Sequence, residues 1–409
     1  MMDELIVVGI DIGTTKICTL IARLEGERSQ RILGVGIEPS AGIRKGNIVD
    51  LKAATTSILR SVEKAQRTSG LEITSALVSL AGSHVASVNS RGVVGISGQV
   101  IDHDDIERAL EAAQAVAIPH NREIIHIIQR GFVVDGQEGI RMPVGMHGYR
   151  LEVEAHVITA AKATVANIRE CVENAGIQVS QFVLNPLASG EAVLNETERQ
   201  MGSVVCDIGG GTTDMAIYID NDVWHTMVLD VGGNHITNDI AHGLRVPFSQ
   251  AEEIKIEYGS AMETEIGSDE TFTIRSFGLD EPVVVNRKDL AHIIDARVEE
   301  IFSLVLQEIK RSGYDGLLPA GMVLTGGTSR LPKIRKLAGE VLGLPVRVAQ
   351  PENMIGLVDQ LHSPAYSTSV GLLSWALLMR DTVTPKTKKP IDKVALWENI
   401  KSFIRRFLP

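Results

Sequence analysis

The chain has 409 residues, 44% of them hydrophobic, and a formal net charge of −11. That length exceeds what one hydrophobic core usually serves, so at least two domains are expected, and the negative balance excludes nucleic acid as the main partner, because neutralising phosphates takes a basic face. The three cysteines, Cys18, Cys171 and Cys206, stand far apart in apolar runs, which fits a reducing, cytosolic setting and neither a disulfide framework nor a zinc site.

The first residues are acidic and lack the basic segment and cleavage site of a signal peptide. Residues 5–10 (LIVVGI) read as a short buried strand entering a Gly-rich turn, and residues 17–24 and 31–37 as two more strands. Residues 51–68 carry helical spacing at Leu51, Ala54, Ile58, Val62 and Ala65 and stop before Gly70. Residues 76–100 are strand-like, 102–117 form a helix with an Asp cap, strands follow near 123–134 and 151–159, and a helix at 163–175 ends at Gly176. In the second half come helices near 234–243 and 249–258, strands near 271–285, a long helix over 287–312, and a strand at 321–325. Residues 381–392, rich in Pro, Lys and Thr, read as a flexible linker.

One pattern recurs. VVCDIGGGTTDMAIYI (204–219) repeats the logic of IVVGIDIGTTKICTLI (6–21): an apolar strand, Asp-Ile-Gly, small residues with Thr-Thr, then another apolar strand. Two related halves are implied, each aiming a hairpin at a shared cleft. A phosphate chain needs close backbone N–H groups, hydroxyls and a cation. Gly13, Thr14, Thr15 and Lys16 supply these from one half, and Gly209, Gly210, Gly211, Thr212 and Thr213 from the other. Asp11 and Asp207 are then expected to hold hydrated Mg2+ at the phosphates, since Mg2+ favours a few carboxylates plus water. One such turn is commonly just a tight hairpin; two matching turns some 200 residues apart are far more specific. Gly326, Gly327 and Thr328, after the strand at 321–325, either let a flat ring lie on backbone or merely open a helix with a Ser cap.

These three turns resemble, in order, the phosphate-1, phosphate-2 and adenosine motifs of the actin-like ATPase superfamily. Asn185–Ala192 and Pro364–Leu373 resemble its two interdomain helices, and Asp230–Asp239 its Gly-Gly turn. The segment Ala251–Lys255 resembles the one whose Glu and Lys reach ribose and base, which places Glu252 and Lys255 at the site; outside that resemblance they would be solvated charges. Residues 126–158, with Pro143-Val144-Gly145-Met146-His147-Gly148, resemble the bacterial FtsA family of cell-division proteins, over essentially the whole chain.

The resemblance implies an α/β, actin-like two-lobed ATPase fold of duplicated ribonuclease H-like domains, with a relocated 1C subdomain and a C-terminal amphipathic helix. Its expected subdomains are 1A (1–83, 163–200 and 363–380), 1C (84–162), 2A (201–243 and 319–362) and 2B (244–318), then the linker 381–392 and the helix 393–409. ATP and Mg2+ are the implied cofactors. The chain would polymerise and tether filaments of the tubulin-like protein FtsZ to the cytoplasmic face of the cell membrane at the division site. The FtsZ C-terminal peptide would dock on 2B near Arg297 and Glu300, which otherwise are plain surface charges, and other divisome proteins would meet 1C. Asn185 stands where superfamily members carry a Glu or Gln that orients water; an amide is a poor base, so ATP binding with weak or no hydrolysis is expected. Glu191, six residues on, points elsewhere.

From Lys386 onward, seven basic and two acidic residues give +5, leaving −16 for the rest. Within that tail, Leu396, Trp397, Ile400, Phe403, Ile404, Phe407 and Leu408 recur at helical spacing, with Lys401, Arg405 and Arg406 off or beside that face. Fifteen residues rise about 22 Å, too short to span a core of about 30 Å, so the helix is expected to lie in the interface of an anionic membrane rather than pack on the body. Stable attachment would take several tails, as in a polymer. Other roles for the same frame are a pilus-assembly scaffold, against which the basic tail argues, and an ATP-dependent small-molecule kinase, for which no sugar pocket with a catalytic Asp is visible.

Overall fold

The computed structural model describes residues 5–25, 29–98, 100–115, 118–278 and 281–378. The expected linker 381–392 and tail helix 393–409 lie outside the described residues.

Two sheets carry the same topology. The first runs, in spatial order, Gln178–Leu184, Ser75–Leu80, Ile6–Ile12, Lys16–Glu25, Ser29–Pro39 and Met354–Gly356. The second runs Val346–Val348, Gly321–Thr325, Ser203–Ile208, Thr213–Ile219 and Asp222–Leu229. In each, a central strand pairs antiparallel with the hairpin that follows it and parallel with a strand reached by crossover. The internal repeat is thus a repeat of architecture. The central strands read as unbroken apolar runs because both faces are covered, as parallel-sheet strands require. Ser29–Pro39 instead alternates buried and half-buried residues. Its covered face takes the helix Leu51–Ser69, whose stripe Ala54, Ile58, Val62 and Ala65 is buried. Asp50 caps that helix by accepting from Ala53 N, and Gly70 ends it in the left-handed region.

The helices Asn185–Val193 and Ser367–Leu378 lie between the sheets and pack on each other. Ser367–Leu378 has no polar stripe: ten of its twelve residues are buried, the pattern of a helix enclosed on all sides.

An inserted domain follows Ser75–Leu80. Its sheet runs Ala86–Gly95, Arg150–Ala161, Arg122–Val134 and Gln137–Ile140, all antiparallel, and is covered by the helix His103–Gln114. It has its own core, including Ile106, Leu110, Phe132 and Val153. The strand-like stretch 76–100 divides: Ser75–Leu80 belongs to the first main sheet, parallel to Ile6–Ile12, and one strand, Ala86–Gly95, opens the insert. The Pro143–Gly148 stretch closes it, Gly145 N donating to Ile101 O and Ile101 N to Met146 O, both at 2.9 Å. The insert rests on the second lobe, Ser87 Oγ donating to Thr226 O at 2.9 Å and His156 Nε2 lying 3.0 Å from Thr226 Oγ1.

The helices Gly233–Leu244, Phe248–Tyr258 and Arg287–Ser312 pack together, with the hairpin Thr271–Ile274 and Val283–Asn286 beside them. Among the described residues, no helix is long and apolar enough to cross a membrane.

Candidate functional site

The two Gly-rich turns are built alike. Gly13 N donates to Lys16 O at 3.0 Å and Gly209 N to Thr212 O at 2.9 Å, with Ile12 opposite Ile17 and Ile208 opposite Thr213. Structural equivalence therefore sets Lys16 against Thr212 and Cys18 against Asp214, two positions away from the alignment that the Thr-Thr pairs suggest. The turns meet tip to tip. A Cβ on Gly210 would lie 2.5 Å from Thr15 Cγ2, and one on Gly211 would overlap Thr14 Oγ1. Backbone at this seam can approach so closely only without side chains.

Asp11 and Asp207, the residues opening each turn, are both buried. Asp11 accepts from Ser79 Oγ at 3.1 Å and from Ser369 Oγ at 2.6 Å; Asp207 accepts from Thr368 Oγ1 at 2.9 Å. Consecutive residues of one helix thus hold one aspartate from each lobe. Burial pushes the Asp207 carboxyl up to about 6, with the nearby Asp11 charge adding to the rise and the hydroxyls of Thr368 and Ser189 opposing it. Asp214, cross-strand from Asp207, is pushed well above the usual range by burial and by the Asp207 charge; its Oδ2 accepts from Thr212 Oγ1 at 2.8 Å, and its Oδ1 has no partner. Lys16 donates to Ala365 O and lies 4.7 Å from the centre of the Tyr366 ring, so it ties the first turn to the foot of Ser367–Leu378.

The other expected segments converge on Gly209. Gly233 N donates to Gly209 O at 2.9 Å, Asn234 N to Gly210 O at 2.8 Å, and Thr328 Oγ1 to Gly209 O at 3.0 Å. Gly326 takes φ +86°, and a Cβ there would overlap Asp207 Oδ1, so only glycine fits. The turn after it is a short 3-10 stretch, Gly327–Arg330, and the helix Ile334–Leu342 starts beyond Pro332, not at the glycines as the sequence suggests. Lys255 Nζ reaches Glu252 Oε2 at 2.7 Å, Thr237 Oγ1 at 2.8 Å and Gly233 O at 3.4 Å. Burial lowers the Lys255 pKa, and Glu252 counters it.

Asn185 opens the helix Asn185–Val193; its backbone carbonyl accepts from Ser189 Oγ at 2.9 Å, and its side-chain Oδ1 is buried without a partner. Glu191 points away from the turns, to Arg199 at 2.6 Å. Arg297 and Glu300 lie apart from the cleft on Arg287–Ser312, and Arg297 already holds Asp239 through two nitrogens, at 2.5 and 3.0 Å, and Glu300 at 2.5 Å. Residues 396–408, expected at a membrane, lie outside the described residues. Sequence reasoning gave no role to Ser79, Thr237, Thr368 or Ser369, although the last three fall in segments it singled out, and it placed Asp214 in the second Gly-rich motif without assigning it a function. It also overlooked an ion pair across the lobes, Lys45 Nζ to Asp230 Oδ2 at 3.1 Å.

A family model described as "Cell division protein FtsA" matches residues 204–371, and one described as "SHS2 domain inserted in FTSA" matches 82–159. The cell division protein FtsA of Pseudomonas aeruginosa is 43% identical over 371 residues, 91% of this chain and 89% of that one. That of Neisseria meningitidis is 41% identical, over 89% and 88% of the two chains, and that of Escherichia coli K12 is 36% identical, over 91% and 90%. Among solved structures, a PilM-PilN type IV pilus biogenesis complex superposes with TM-score 0.67 at 17% identity, over 93% of this chain and all of that one. MreB 5 of Spiroplasma citri bound to AMPPNP gives 0.57 at 15% identity, over 92% and 98%. These likenesses establish the actin-like fold. By its sequence relatives and its characteristic insert, the chain belongs to the FtsA family of cell-division proteins.

Proposed function

We propose that the chain binds ATP with Mg2+ between the two turns, assembles into polymers in that state, and tethers FtsZ filaments to the inner face of the cell membrane during division. The observation that carries this reading is the joint hold of Thr368 and Ser369 on Asp207 and Asp11, one carboxylate from each lobe. Both carboxylates retain lone pairs for the waters of a hydrated Mg2+, and the unpartnered Asp214 Oδ1 sits beside them. Mg2+ keeps several of its waters, so the ion would be held through water and phosphate. Gly13–Lys16 and Gly209–Thr213 would carry the phosphates, with Gly326–Thr328, Glu252 and Lys255 on the adenosine. Mg2+ would neutralise phosphate charge there.

Two proteins that share this fold at 15% and 14% identity lend support to the reading: MreB 5 of Spiroplasma citri is bound to AMPPNP, and MamK forms a double helical filament. Asn185 presents an amide, which cannot take a proton from water, so the cleft acts as a switch for assembly with weak or no turnover. The amphipathic residues Leu396 to Leu408 supply the membrane contact, and Arg297 with Glu300 receives the FtsZ peptide. Co-sedimentation tests the whole scheme. With Mg2+ and ATP, the chain should carry a fluorescent FtsZ C-terminal peptide down with vesicles containing anionic lipid. Removing residues 393–409 should abolish sedimentation and leave ATP binding intact; sedimentation of the truncated chain overturns the membrane assignment.

A further inference from the structure

A small hairpin between Pro39 and Leu51 stands where the two lobes and the insert meet. Ile43–Arg44 pairs with Asn47–Ile48 through the two-residue turn Lys45-Gly46. Both turn residues have positive φ, +50° and +75°, as a tight hairpin turn of this length demands. Val49 N and Asp50 N clamp the base by donating to Gly42 O at 2.8 and 3.1 Å, and Ile43 is buried in the core. The hairpin therefore moves with the first lobe.

Its tip grips the second lobe. Lys45 Nζ donates to Asp230 Oδ2 at 3.1 Å and to Asp230 O at 3.2 Å. Asp230 follows the strand Asp222–Leu229 and leads into the segment that backs the second Gly-rich turn: Val231 O accepts from Thr213 Oγ1 at 2.8 Å, and Gly233 N donates to Gly209 O at 2.9 Å. The same two-residue turn lies on the chain that enters the insert. A Cβ on Gly46 would overlap Ala81 O, and one on Gly82 would lie 3.2 Å from Lys45 O, so the two backbones touch where neither has a side chain. From Gly82 onward the link is stiff. Arg122, on the insert, donates through Nη2 to His84 O and Thr159 O and through Nε to Thr159 Oγ1, each at 2.9 Å. It thereby clasps the entering and leaving chains of the insert together.

The insert is joined to the first lobe at this clasp and rests on the second lobe where Ser87 meets Thr226. When the lobes part, it cannot keep both attachments. We propose that the hairpin Gly42–Asp50 is a strap that makes closing of the lobes and seating of the insert a single event. With Lys45 on Asp230, the entrance of the insert is held beside its seat. The strap rests on the ATP reading above only for what drives the closing, so its test is made without nucleotide.

The full chain is spin-labelled at pairs of introduced cysteines and read by double electron–electron resonance. Glu63, Ser249 and Glu111 are exposed on the first lobe, the second lobe and the insert, and the three natural cysteines are buried. Glu63→Cys with Ser249→Cys reports the lobes; Glu111→Cys with Ser249→Cys reports the insert against the second lobe. Lys45→Met keeps the stem and loses both bonds to Asp230. It is expected to raise the open fraction of the lobe pair about two- to fivefold, the worth of a partly exposed ion pair, and that of the insert pair by the same factor. Asp230→Asn, which leaves the bond to the carbonyl, should do less. Ser87→Ala, at the seat, should shift both pairs as well, because coupling between sites is reciprocal. Unchanged distances in Lys45→Met overturn the latch. A Lys45→Met change confined to the lobe pair, or a Ser87→Ala change confined to the insert pair, overturns the strap. A separate titration in which the natural chain binds no Mg2+·ATP would sink the cleft reading and not the strap.

Discussion

Thr368 Oγ1 donates to Asp207 Oδ2 at 2.9 Å across the boundary between the lobes, and the next residue, Ser369, does the same for Asp11 at 2.6 Å. A helix from the end of the described chain is thereby the common reference for two carboxylates 196 positions apart. Thr368→Val keeps the shape and removes the donor. It should lower stability by about 1–3 kcal/mol, the cost of leaving a buried acceptor unpaired, and weaken Mg2+·ATP binding about tenfold because Asp207 loses its fixed orientation. Calorimetric titration and thermal unfolding read both effects. An unchanged ATP affinity would separate this contact from the cleft.

Asp207 is held at a cost in stability. Its carboxyl, pushed up to about 6 by burial, is largely ionised at pH 7.5 in a place that disfavours charge. Asp207→Asn keeps an acceptor for Thr368 and removes the charge. The variant should be as stable as the natural protein or more so, by up to about 2 kcal/mol, while its Mg2+-dependent gain in ATP affinity disappears. Loss of stability without loss of Mg2+ dependence would refute the metal role.

Gly211 separates packing from chemistry. Gly211→Ala puts a methyl into Thr14 Oγ1, with Thr14 Cβ at 3.0 Å behind it. Closure of the two turns should be hindered, costing about 1–3 kcal/mol as overpacking does, and ATP-dependent sedimentation of polymer should fall. Adding Thr14→Gly removes both clashing atoms and should restore much of the lost stability, a coupling that a double-mutant cycle on thermal unfolding measures.

Much of this arrangement was legible in the chain. The repeat of Asp-Ile-Gly turns foretold two lobes of one topology, because a buried strand ending in such a turn reads the same in both. Helix ends were legible where capping chemistry is local, as at Asp102 and Gly70. The residues that hold the site were not. Ser79, Thr368 and Ser369 are hydroxyls in apolar runs, and a hydroxyl that bonds a distant carboxylate has the same local pattern as one that bonds its own helix. The alignment of Thr14-Thr15 with Thr212-Thr213 matched residue types, whereas the ladder matches turn length and sets Lys16 opposite Thr212. Lys45 and Asp230 meet only because the lobes close on each other.

Arg297 is proposed to receive a peptide carboxylate, yet it is already bidentate to Asp239. The peptide must displace that carboxylate. Asp239→Asn frees the guanidinium and should raise the affinity for the FtsZ C-terminal peptide about three- to tenfold, in line with the worth of a partly exposed ion pair of about 0.5–1 kcal/mol or a little more. Arg297→Glu should abolish binding. Fluorescence anisotropy with a labelled peptide distinguishes this from a structural role, in which Asp239→Asn would weaken binding or leave it unchanged.

The insert's seat on the second lobe should be acid-sensitive. His156 is buried with Nδ1 2.6 Å from Asn89 Oδ1 and Nε2 3.0 Å from Thr226 Oγ1. Burial, then the neighbouring His225, Arg130 and His126, lower its pKa to about 3. His126, accepting from Leu184 N at 3.1 Å, is lowered by burial to about 3 as well. Both rings take up protons more readily in the unfolded chain, where the value is about 6.5. Their contribution to stability is therefore complete above pH 6.5 and is lost as pH falls from there towards 3, at about 1.4 kcal/mol per pH unit for each ring. His156→Gln keeps a donor and an acceptor but cannot be charged. It should cost about 1 kcal/mol at pH 7.5 through one lost hydrogen bond and flatten the histidine part of the acid slope by half. Thermal unfolding of both proteins between pH 7.5 and 4.5 reads this as two curves that converge on acidification, cross near about pH 6 and leave the variant the more stable at pH 4.5; parallel curves would place the acid-sensitive group elsewhere.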